Sequence, residues 1–141
     1  MKIFNKRANF DYQILETLEA GISLTGGEAR AVRTGHINLT NSFVKIIEKE
    51  AFLFNANILI PDKKNYYATA SRKLLLHKGE ILDFLVKSKA KKLTIIPIVV
   101  YTKGRLIKLS IGLAKSKKVF EKKEAQKKLD IKRDIDREVN G

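Results

Sequence analysis

The stretch KLTIIPIVVYTKGRLIKLSIGLA, residues 92–114, restricts the fold more than any other part of the chain. Two runs rich in β-branched residues flank Lys103-Gly104, the composition of a two-residue hairpin turn. In the second run Ile107, Leu109, Ile111 and Leu113 alternate with Lys108, Ser110 and Gly112. The odd positions are therefore expected to face a core, and Lys108 to face out. Pro97 interrupts the first run, and inside a sheet it implies a bulge or an edge position.

A second hairpin is expected in SFVKIIEKEAFLFNANI, turning near Lys49-Glu50. Strand pattern also covers about Tyr12–Leu18, with a turn at Glu19–Ile22 and a short strand running on to Leu24. Helices are expected in two places. TGGEARAVRTG carries the capping-box pair Thr25 and Glu28, with Gly35 at the exit. RKLLLHKGEILDFLVKSK follows Ser71 as a possible cap. The sum is about six strands with two or three short helices. Short antiparallel strands in so small a chain tend to close into a barrel, which removes sheet edges. The expected fold is mainly β, a six-stranded OB-like antiparallel barrel, with an open α+β sheet as the alternative.

Charge carries the functional signal. Lys and Arg number 29 against 15 Asp and Glu, a formal net of +14 over 141 residues. Residues 1–114 hold 19 basic and 9 acidic side chains, a net of +10; residues 115–123 hold five and one, and residues 124–141 hold five and five. A basic body is thus followed by a basic hinge and a charge-neutral end. Such a field attracts polyanions: RNA, DNA or an anionic membrane surface.

Residues 115–141 lack a core-forming pattern. Ile131, Ile135 and Val139 form only a thin i, i+4 stripe. A disordered basic tail that becomes helical on binding is expected, beside a body spanning 1–114.

Little in the chain suggests catalysis. There is no cysteine, and His36 and His77 lie 41 positions apart without acids at ligand spacing. No metal site, cofactor or enzymatic activity is expected. The opening MKIFNKRANFDY contains no uninterrupted apolar segment, and a cytoplasmic location is expected rather than export or membrane insertion. Glu28 reads as a capping carboxylate. Glu19 is harder to place, because an acid on a phosphate-binding surface needs its own hydrogen-bond partner, such as a base amino group or a ribose hydroxyl.

NKRANFDYQILETLEAGISLTGGEARAVRTGHINLTNSF, RKLLLHKGEI and IGLAKSKKVFEKK, in this order over about residues 5–123, resemble the SsrA-binding (SmpB) protein family. The resemblance implies an OB-like barrel with three helices and a basic tail. It implies binding to the tRNA-like domain of transfer-messenger (SsrA) RNA, and delivery of that RNA to stalled bacterial ribosomes. It also implies a tail placed in the decoding centre and messenger channel, which licenses rescue and tagging of the nascent chain. One monomer per RNA is expected, with no enzymatic step of its own.

Matched motif by motif, the resemblance implies RNA contacts by Asn5, Lys6, Arg7, Glu19, Arg33, Asn38, Leu75 and Lys108. In the tail it implies ribosomal contacts by Lys115, Lys117, Lys118, Phe120, Lys122 and Lys123. Asn38 could equally satisfy a turn, and Leu75 could equally be helix core. Ser116 stands where the family usually has glycine, and Glu121-Lys122-Lys123 replace its Asp-Lys-Arg. Charge and fold alone would also suit a generic OB-fold translation factor or a ribosomal protein.

Overall fold

The computed structural model describes residues 1–118. Phe120, Lys122, Lys123 and the expected tail helix therefore lie outside the described residues. Nine strands and three helices occur among those described: β1 (Lys2–Phe4), α1 (Ala8–Asp11), β2 (Tyr12–Ile22), α2 (Gly26–Arg33), β3 (Ile37–Asn38), β4 (Phe43–Ile47), β5 (Glu50–Phe54), β6 (Asn57–Ile58), β7 (Arg72–Leu75), α3 (Lys78–Ala90), β8 (Thr94–Lys103) and β9 (Leu106–Ser116).

Six strands close a ring. β8 pairs with β4, β4 with β5, β5 with β7, β7 with β2, β2 with β9, and β9 back with β8, all antiparallel. β1 adds to the outer end of β8, and β3 with β6 forms a separate small ladder. The mainly-β barrel expected from the pattern is the fold.

The interior is filled from every wall. Ala20, Val44, Leu53, Leu74, Val100, Leu109 and Ile111 belong to one buried cluster, joined by Val32 of α2 and Phe84 of α3. Each fully buried large side chain contributes about 1.5–3 kcal/mol by leaving water. A second, smaller cluster joins Ala8, Ile96 and Ala114, with Tyr12 and Ile14 packed on it. It covers the outside of β9, so residues 111–114 are buried on both faces. Gly112 makes that cover possible: a Cβ there would meet Ile98 Cδ1 at 2.8 Å and Ile14 Cγ2 at 3.0 Å.

Several local expectations shift. The β8–β9 pairing is Lys103↔Leu106, so the turn residues are Gly104-Arg105, one position later than expected. Gly104 takes φ +61 at the first central position, where hairpin turns favour glycine. The β4–β5 turn falls at Glu48-Lys49, one position earlier, with both residues at positive φ. Pro97 does mark a bulge, since the β8–β9 register shifts between Pro97 and Val99.

Two corrections bear on function. Glu19–Ile22 is not a turn. β2 runs unbroken through it, and Gly21 has no positive φ. Glycine relieves crowding there, since a Cβ would stand 3.2 Å from Leu75 Cβ on the neighbouring strand. Nor does a helix begin after Ser71. Residues 72–75 form β7, with Arg72 and Leu74 buried and Lys73 and Leu75 exposed. The helix starts only at Lys78, after the cap His77, whose amide donates to Glu80 Oε1 at 3.0 Å.

Candidate nucleic-acid interface

Leu75, Gly21 and Lys108 lie side by side on β7, β2 and β9, because Gly21 pairs with Leu75 on one side and with Lys108 on the other. Glu19 stands two residues along β2 from Gly21. The Leu75 side chain leans over Gly21, with its Cβ, Cδ1 and Cγ 3.2, 3.4 and 3.6 Å from where a Cβ would stand. One open cleft of about 710 Å³ is lined by Glu19, Gly21, Leu75, His77 and Lys108. A second, of about 210 Å³, shares Gly21, Leu75 and Lys108 and adds Arg33 and Arg105. Arg33 is held there by donating from Nη2 to the Arg105 carbonyl at 2.7 Å.

Four residues matched from sequence thus converge on one face: Glu19, Arg33, Leu75 and Lys108. Leu75 is neither helical nor core; it is a strand residue 57% exposed, an apolar side chain offered to solvent. Exposed apolar surface beside cations suits a nucleobase face better than a phosphate.

Glu19 has partners that the sequence did not suggest. The Tyr101 hydroxyl donates to its Oε2, and Lys103 Nζ lies 3.5 Å from its Oε1. Tyr101 sits on β8, opposite Lys108 on β9, so its ring crosses β9 to reach β2. The Tyr101 hydrogen bond holds the Glu19 carboxyl below its usual range; partial burial opposes this, and the charges of Lys103 and Lys108 add to the lowering. Burial, and then the Glu19 carboxylate, push the Tyr101 phenol up to about 12. At neutral pH the face therefore carries an ionised acceptor beside two ammonium groups.

The other matched residues lie elsewhere. Asn5 donates from Nδ2 to the Pro97 carbonyl at 2.9 Å and its amide donates to the Ile98 carbonyl at 2.8 Å, tying β1 to the bulge. Arg7 pairs with Asp11 at 3.1 Å and covers the Phe10 ring at 4.5 Å. Lys6 is exposed between them. Asn38 accepts from the Thr40 amide at 2.9 Å, the turn-satisfying role that was its alternative. β9 continues through Lys115 and Ser116, two residues past the expected end of the body. The Lys117 amide donates to the Asp11 carbonyl at 2.9 Å and its ammonium to the Asn9 carbonyl, while Lys115 and Lys118 are exposed.

Glu28 does more than cap. Its Oε1 accepts from the Thr25 amide at 3.0 Å, and its Oε2 accepts from Arg72 Nε at 3.0 Å and Nη2 at 2.7 Å. The Tyr66 hydroxyl lies 3.2 Å from the same oxygen. Burial works against the charge, but the Thr25 and Arg72 hydrogen bonds and the Arg72 charge win, and the carboxyl stays below its usual range.

The Glu19 face offers a carboxylate acceptor, cations and an exposed apolar side chain. No group of His, Cys, Asp or Glu able to hold a metal ion occurs among the described residues. No helix among them is long and apolar enough to cross a membrane.

A family model described as "SmpB protein" matches residues 2–141. The SsrA-binding protein of a Sulfurihydrogenibium species is 48% identical over 140 residues, covering 97% of this chain and 92% of that protein. The SsrA-binding protein of Mesoplasma florum is 47% identical over 133 residues, covering 92% and 89%. A solved structure described as "tmRNA-SmpB: a journey to the center of the bacterial ribosome" superposes with a TM-score of 0.69 at 40% identity, covering 84% of this chain and 85% of that one.

Proposed function

The chain belongs to the SmpB protein family, and on that premise we propose that it is an RNA-binding protein of trans-translation, which binds transfer-messenger (SsrA) RNA and acts with it at stalled ribosomes. It works by binding, as a cytoplasmic monomer with one copy per RNA, and contributes no bond-making step. The observation that carries the reading is the convergence of Glu19, Leu75 and Lys108, from three strands, around Gly21.

Each residue has a physical task on that face. Lys108 neutralises phosphate and releases counterions. Leu75 lies against a base or ribose. Glu19, ionised, accepts from a base amino group or a ribose 2′-hydroxyl, the group that separates RNA from DNA. Arg33 extends the basic margin. Asn5 and Asn38 support the fold, and Lys6 and Arg7 offer a separate basic contact near α1.

Distance supports a division of labour. Lys115 is seven residues beyond Lys108 on β9, about 23 Å by strand rise. That separation supports a tail that serves the ribosome while the Glu19 face serves SsrA RNA. Lys115, Lys117, Lys118, Lys122 and Lys123 would meet phosphates of the decoding centre and messenger channel. Phe120 would stack on a base there, an interaction worth about 1–3 kcal/mol.

The test is an RNA pull-down from bacterial extract using the full chain. SsrA RNA should be the dominant species recovered. Recovery of ribosomal RNA or mixed RNA without SsrA enrichment overturns the reading.

A further inference from the structure

We propose that Tyr101, with Lys103, is a positioning residue for RNA recognition: it acts through Glu19, fixing that carboxylate so that one oxygen points to the ligand. The inference rests on the function proposed above and adds two residues of β8 that none of the matched motifs includes.

The geometry makes the case. Glu19 is half-exposed on the outer wall, with its side chain at 39% accessibility. A free glutamate there would sample several rotamers and lose their entropy on each binding event. The Tyr101 hydroxyl removes that freedom by engaging Oε2. Among the described residues Oε1 has only the long 3.5 Å approach of Lys103 and keeps lone pairs for a donor on the RNA. Tyr101 can reach because it lies directly across from Lys108, with Ser110, two residues along, opposite Glu19. Small Ser110 leaves room for a ring to cross β9.

Charge gives the second half. A lone carboxylate on a phosphate-binding face repels the ligand. Lys103 and Lys108 on either side offset that charge while leaving an acceptor in place. The pair thus converts an electrostatic penalty into selectivity: donors of a base or ribose are accepted, and the neighbouring phosphate is not pushed away.

The test uses the full chain and the tRNA-like domain of SsrA RNA, with Tyr101→Phe, Glu19→Gln and the double variant. Tyr101→Phe keeps the ring and should keep the wild-type melting temperature. It should weaken binding about fivefold, because a Glu19 side chain left free to sample rotamers must be ordered on each binding event. The double variant should bind no more weakly than Glu19→Gln alone, because Tyr101 acts only through Glu19. Additive losses, or wild-type affinity in Tyr101→Phe, overturn the inference while leaving the SsrA reading standing. Wild-type affinity in Glu19→Gln overturns both the inference and the assignment of Glu19 to the interface. Failure of the unmodified chain to bind SsrA RNA overturns the proposed function itself.

Discussion

The molecule uses the same three side-chain types twice, with opposite results. At the base of α2, Glu28 meets a tyrosine, Tyr66, and a cation, Arg72. On the outer wall, Glu19 meets Tyr101 and Lys103. Arg72 and Glu28 have side chains only 3% and 9% exposed; Lys103 and Glu19 are 67% and 39% exposed. Glu28 has both oxygens engaged, and Arg72 also donates to the Ala56 carbonyl at 2.8 Å and the Tyr66 hydroxyl at 3.1 Å. The buried trio pins α2 to β7 and to the 61–70 loop. The exposed trio is unsaturated, and its spare oxygen is free for a partner. Solvation and saturation separate a fold-holding cluster from one that can still take a partner.

The largest effect that would break the comparison is in the buried trio. Arg72→Met should lower unfolding free energy by about 3–5 kcal/mol, because it strands a buried carboxylate. Urea unfolding measures it; a loss below 1 kcal/mol would show that the pin is dispensable. Glu19→Gln should show the reverse pattern, with a urea midpoint unchanged and SsrA RNA affinity reduced about tenfold. The two tyrosines sharpen the contrast further. Tyr66→Phe should cost about 1 kcal/mol of stability and leave RNA affinity alone. Lys108→Ala should flatten the salt dependence of RNA binding by about 0.7–0.9 in log–log slope, one phosphate contact. A wild-type slope would remove Lys108 from the phosphate contacts.

The smallest effect is on acid stability. Glu28 titrates below its ordinary 4.5, so its contribution is complete above that value and fades as pH falls through the lower folded one. Glu28→Gln should therefore lose less stability than wild type on acidification below about pH 4.5.

Much of this was legible in the sequence, and the failures have physical causes. The β8–β9 alternation, the Pro97 bulge and the Thr25–Glu28 cap all stand in the structure. Residues 72–75 read as helix because Leu74 and Leu75 with Lys78 fit helical spacing as well as a short strand. Only tertiary pairing, with Leu74 inward and Leu75 outward, decides it. Gly21 reads as a turn residue, but its reason is the approach of Leu75, which no local pattern shows. Tyr101 was hidden by one residue of turn placement. A turn at Lys103-Gly104 would put Leu106 opposite Tyr101; the actual turn puts Lys108 there. A hairpin slip of one residue moves every cross-strand partner by two, enough to conceal the residue that holds Glu19. Arg72 carried no signal as the partner of Glu28, since 44 residues separate them.

The central claim is that the Glu19–Leu75–Lys108 face reads SsrA RNA while the fold is held elsewhere. A single titration of the SsrA tRNA-like domain against the Glu19→Gln/Lys108→Ala double variant, with urea unfolding on the same sample, tests it most directly. Affinity should fall about tenfold or more, without simple multiplication of the two single losses because the neighbouring charges are coupled, with the urea midpoint unchanged. Wild-type affinity in a folded double variant would contradict the account.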